Sequence, residues 1–137
     1  MGVYEIFVDM STSTIVRLIA ILIVTDVIFG VLRACKEKAI NSTIGIDGII
    51  RKVAILLSVI ILYFTDVLLN INVISLLPND VINALHLPEI GLAEFFGMVL
   101  SSFELISIIS NYEAIGLPMP RKLKNLIQKF LNDMTQE

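Results

Sequence analysis

Three long apolar stretches, each about the length that carries a helix across a bilayer, constrain this 137-residue chain more than any other feature. A hydrocarbon core about 30 Å thick is crossed by about 20 residues of helix rising about 1.5 Å each. The stretches run from Ile15 to Ala34, from Val53 to Asn70 and from Ile90 to Ile109. Their β-branched runs, IAILIV and VIIL, would suit strands in water. In lipid, however, each backbone group must be satisfied within the structure that spans, and no alternating barrel pattern is present. The expected fold is an all-α integral membrane protein, with about three transmembrane helices in a single membrane domain over residues 1–137. A hydrophobic content of 56% agrees, because soluble domains hold about 45 to 50% apolar residues.

The segments between the spans differ in charge. Residues 35–52 read CKEKAINSTIGIDGIIRK, with turn-forming Asn, Ser, Thr and Gly, and with Lys36, Lys38, Arg51 and Lys52 expected in water as a basic loop. Residues 71–89 contain no Lys or Arg, and Pro78 and Pro88 bracket a short helix expected from Asn79 to Leu87 on the membrane surface. Residues 118–137 place Leu123, Leu126, Ile127 and Phe130 on one helical face, so an amphipathic C-terminal helix is expected. Its basic residues Arg121, Lys122, Lys124 and Lys129 suit anionic headgroups; the alternative is a solvated helix packed on its own protein.

Basic residues are retained on the cytoplasmic side of a membrane. Those of the first loop and those of the tail are separated by two spans, an even number, so both sets fall on one side. The expected topology has the N-terminus outside, loop 35–52 inside, loop 71–89 outside and the C-terminus cytoplasmic. The N-terminal residues carry Glu5 and Asp9 and no basic n-region, so the first span is expected to remain in the mature protein.

Charged residues within the spans are the chemically informative ones, since each costs about 2.5 to 3.5 kcal/mol at the bilayer centre unless it faces protein or water. Arg17 lies near a span end and is expected to snorkel, whereas Asp26 is close to a midpoint. Asp26, Gly30 and Ala34 recur every four residues, a stripe of small residues and one carboxyl suited to close helix contact. Gly91, Glu94, Gly97, Ser101, Ser102 and Glu104 occupy about half of the third span's helical wheel, and Ser58, Thr65 and Asp66 form a thinner stripe on the second. One short chain offers few partners for four carboxyls at depth, so self-association into a homo-oligomer is expected to supply them, with the same stripes lining a water-filled opening.

Other chemistries find little support. A lone Cys35 and a lone His86 build neither a disulfide nor a zinc site, and no nucleophile, phosphate-binding or metalloprotease motif is present, so neither catalysis nor a cofactor or metal is expected. The net charge of -3 gives no footprint for nucleic acid.

Two blocks of sequence resemble the toxin-secretion and phage-lysis holins, also called holin family 4. The first is Asp26-Val-Ile-Phe-Gly30, then Ala34, then the stretch holding Ser42, Gly45, Gly48, Arg51 and Lys52. The second is Glu104, Ser107, Asn111, Gly116, Pro118 and Pro120, ahead of the basic helix. Ser110 departs from the family, which often has a glutamate there. The resemblance covers roughly residues 20–130. It implies a multi-pass protein of the bacterial inner membrane that forms large homo-oligomers and opens lesions for an endolysin or a large toxin, with no direct contact to that cargo required. A small ion channel or transporter and a membrane scaffold are the alternative readings of the same charged spans.

Overall fold

In the computed structural model, residues 2–38, 42–86 and 88–135 are described, and among them every regular element is helical. The chain forms α1 (Val3–Thr12), α2 (Thr14–Glu37), α3 (Ser42–Leu69), α4 (Asn79–Leu85), α5 (Leu92–Ile115) and α6 (Arg121–Thr135), with one 3-10 turn at Val73–Leu76. Three of these, Thr14–Glu37, Gly45–Leu69 and Leu92–Ile115, are long and apolar enough to cross a membrane.

The second span starts well before the expected Val53. Residues 42–52 are helical, so most of the expected loop 35–52 belongs to α3. Ile46, Ile49, Ile50 and Val53 repeat at helical spacing through this segment, and that apolar periodicity outweighs the turn-forming Gly45 and Gly48. The connection shrinks to Lys38, in a left-handed conformation at the end of α2, and residues 39–41, which lie outside the described residues. A helix expected from Asn79 to Leu87 is present as α4, ending at Leu85 where His86 turns left-handed; Leu87 lies outside the described residues.

The N-terminal residues form a helix that the sequence did not announce. Ser13 is extended and its N–H donates to the Asp9 and Met10 carbonyls, which closes α1 before α2 begins. Arg17 lies exposed and reaches back with Nε to the Ser11 carbonyl at 2.8 Å. Met10 packs with Tyr63 and Ala93 in a small core at this end of the bundle, and the Tyr63 hydroxyl donates to Asp9 Oδ2.

Helix α5 is the axis of the fold, packing most extensively on α2 and next on α3. Gly97 permits this: a Cβ there would collide with Ile15 Cγ1 and stand 3.0 Å from its Cδ1. The remaining surface of the spans is apolar and exposed, with Ile21, Val24 and Ile28 on α2 and Ile49, Leu57, Ile61 and Leu68 on α3. In a bilayer such a surface meets lipid or another copy.

Candidate functional site

The three spans meet at a buried cluster of charge. Asp26 of α2 and Glu104 of α5 lie near the midpoints of their helices and are only 6% and 2% exposed. Between them stands Lys52 of α3, whose Nζ is 2.6 Å from Asp26 Oδ2 and 2.5 Å from Glu104 Oε2. Asn111, two turns further along α5, donates from Nδ2 to Asp26 Oδ1 at 3.1 Å and accepts from Arg33 Nη1 at 3.5 Å. Arg33 in turn pairs with Glu37 at 2.9 Å. One connected network thus joins all three spans from Glu104 to the exposed end of α2.

Lys52 was expected in water at the edge of a loop. The early start of α3 places it inside the bundle, on the helix that supplies the only cation within reach of two carboxylates among the described residues. A buried ion pair of this sort gains little net stability over apolar packing, yet removal of one partner costs about 3 to 5 kcal/mol because the other charge is stranded. Ser101, one turn from Glu104 and 4% exposed, has a buried Oγ with no hydrogen-bond partner.

Two further carboxylates, Asp66 and Glu94, serve the N-terminus of α5. Asp66 Oδ1 accepts from Leu92 N at 2.8 Å and Asp66 Oδ2 from Ala93 N at 2.7 Å, while Glu94 folds back to accept from Gly91 N at 3.0 Å. These acceptors satisfy the free N–H groups of the first turn and sit at the positive end of the helix dipole. The negative end receives a cation: Lys36 Nζ donates to the Ala114 carbonyl at 3.2 Å and to that of Ile115. All four carboxyls therefore have partners within one chain, and the premise that they need a second copy for satisfaction does not hold in this conformation.

A model of the bacteriophage holin family matches residues 6–132. The chain belongs to that family. The Holin-like protein TcdE of Clostridioides difficile is 38% identical to this holin over 128 residues, covering 93% of this chain and 77% of that one. The uncharacterized 14.9 kDa protein in nagH 3'region of Clostridium perfringens is 31% identical over 112 residues, 82% of this chain and 73% of that one. The uncharacterized protein Lmo0128 of Listeria monocytogenes is 30% identical over 120 residues, 88% of this chain and 74% of that one. No solved structure matches.

Of the remaining residues singled out in the holin's sequence, some join the network and others stand apart. Gly30 lies against Asn111, whose Nδ2 would be 3.8 Å from an added Cβ, and Ala34 and Ser107 are half-buried. Gly116 ends α5 with φ 85, a left-handed conformation that favours glycine, and its site is closed further by Lys36 Nζ. The Pro118 carbonyl accepts from the Tyr112 hydroxyl at 3.4 Å, and the Pro120 carbonyl accepts from the N–H groups of Leu123 and Lys124 in the first turn of α6. Gly45 has open space around it and Arg51 is exposed, as are Arg121, Lys122, Lys124 and Lys129 on α6. Gly48 likewise has nothing within 4 Å of an added Cβ, and the side chain of Ser42 lies outside the described residues. Among the described residues no group of three His, Cys, Asp or Glu is placed to hold a metal.

Proposed function

We propose that this holin assembles into large homo-oligomers in the bacterial cytoplasmic membrane and permeabilises it without catalysis, so that a folded endolysin or a large protein toxin crosses. The observation that carries the reading is the enclosed cluster of Asp26, Lys52 and Glu104 at mid-span, inside a bundle whose outer surface is apolar. In this closed form the polar groups satisfy one another and the exterior dissolves in lipid. Rotation of the spans within an oligomer turns Asp26, Ser101, Glu104 and the flanking Gly30, Ala34, Asp66, Glu94 and Gly97 toward a water-lined opening, where the carboxylates are hydrated and no longer need Lys52.

With its groups ionised the cluster carries one net negative charge, and moving an elementary charge through the membrane field is worth about 2.3 kcal/mol per 100 mV. Many subunits sharing that bias hold a closed array while the membrane is energised, and depolarisation releases it. The orientation that fits has the N-terminus outside. Lys36 meets the end of α5 and Lys124 pairs with Glu113, so Arg33 and Lys36 of α2 and the basic residues of α6 gather at one end of the bundle, away from Arg17, and the positive-inside rule assigns that end to the cytoplasm.

The test is inducible expression beside a cytoplasmic endolysin that lacks an export signal, followed by culture turbidity, with a depolarising agent added partway. Abrupt lysis brought forward by depolarisation is expected. Continued growth with the protein inserted contradicts the reading, and passage of ions without lysis replaces it with an ion channel.

A further inference from the structure

Helix α6 divides its apolar face between two surfaces, and the chain itself covers only one. At about 100° per residue, Ile127, Lys124 and Gln128 share the edge that meets α5. There Ile127 is buried, Lys124 Nζ is 2.9 Å from Glu113 Oε1, and Gln128 Nε2 donates to the same oxygen at 3.1 Å. Leu123, Leu126 and Phe130 lie on the adjoining edge and are exposed, Leu126 by 65%. Lys122 and Lys129 border that bare edge, and among the described residues these two and Arg121 form no ion pair.

The depth of α6 is set by its neighbour. Span α5 ends at Ile115, and residues 116–120 make a tight turn through the left-handed Gly116, so α6 starts where hydrocarbon gives way to headgroups. A helix held at that level by one edge, with an apolar second edge bordered by lysines, has the form of an interfacial helix. Its apolar side chains enter the acyl boundary while the lysine stems snorkel to the phosphates. We propose that the free edge of α6 docks on the anionic phospholipid surface of its own membrane. Leu123, Leu126 and Phe130 enter the lipid, Lys122 and Lys129 pair with phosphates, and Lys124 remains with Glu113. The proposal is independent of permeabilisation and stands or falls without it.

The chain has no Trp, so Leu126→Trp gives the full-length protein a single indole, excited selectively to the red of its three tyrosines. The protein is reconstituted in vesicles of phosphatidylcholine, with or without phosphatidylglycerol, and quenching by lipids brominated high on the acyl chain is measured. The expected result is blue-shifted, quenchable emission in phosphatidylglycerol vesicles. Lys122→Gln or Lys129→Gln in the same background is expected to lower the ratio of docked to undocked helix by roughly fivefold each, as loss of one lysine near an anionic surface implies. Phe130→Trp repeats the measurement should the first variant fail to insert. Water-like emission in both vesicle types overturns the proposal. So does shielding that ignores lipid charge and grows with the ratio of protein to lipid, which assigns the edge to a second copy.

Discussion

Lys52 and Glu104 stand 52 positions apart in sequence and 2.5 Å apart in space, and the contact ties the second span to the third at the depth where an isolated charge is most costly. Asp26 completes the cluster from the first span. The three spans thereby keep this charged cluster inside while their outer surface is largely apolar.

Replacement of Lys52 by Met strands two carboxylates in the bundle. A loss of about 3 to 5 kcal/mol in the stability of the closed fold is expected, read as a lower temperature of loss of the folded monomer in detergent. The triple change Lys52→Met, Asp26→Asn and Glu104→Gln removes every charge of the cluster and is expected to recover much of that loss. Equal stability of the single and triple variants contradicts the assignment.

Asp66→Ala removes acceptors from both Leu92 N and Ala93 N. Loss of a helix cap costs about 0.5 to 2 kcal/mol. Amide hydrogen exchange at Leu92 and Ala93 is expected to accelerate in this variant, with little change at the other end of α5. Uniform acceleration along α5 would show instead that Asp66 acts on the whole bundle.

Gly97→Ala forces α2 and α5 apart at Ile15, an overpacking that costs about 1 to 3 kcal/mol. Ile15→Ala in the same chain creates room and is expected to restore part of the loss. Gly30→Ala meets only Asn111 at 3.8 Å and is expected to be tolerated. Thermal stability of the four proteins in one detergent compares them.

Cys35 is exposed near the basic end of α2, which makes it a native marker of topology. With this end in the cytoplasm, a membrane-impermeant maleimide labels Cys35 in inverted vesicles and spares it in intact cells. Labelling of intact, unlysed cells reverses the proposed orientation.

The spans were legible because a continuous apolar run in lipid admits one backbone solution; the expected ends lie within three residues of those of α2 and two of the start of α5, whereas α5 runs on past the expected Ile109 to Ile115. The start of α3 was not. Gly45, Gly48 and the polar residues near them suggest a turn, but the helical spacing of Ile46, Ile49 and Ile50 overrides them. Lys52 was misplaced for that reason alone, since a residue assigned to a loop is assigned to water. Asp66 and Glu94 were recognised as charges within spans, but capping of α5 depends on which helix end comes near Asp66, and that is a fact of packing across 26 residues rather than of local sequence. Glu104 stood out as a charge within a span and Asn111 through family resemblance, without sign that they share a network with Arg33 and Lys52.

The central claim is that the side chains around Asp26 and Glu104 are sealed in the closed protein and meet water in the open one. Ser101 reports on this most directly, being 4% exposed beside Glu104 with an unpartnered hydroxyl. In a Cys35→Ser background, Ser101→Cys is expected to resist a small membrane-impermeant thiol reagent before depolarisation and to react rapidly after it. Reaction at the same rate before and after, or continued protection once cells have begun to lyse, would contradict the account.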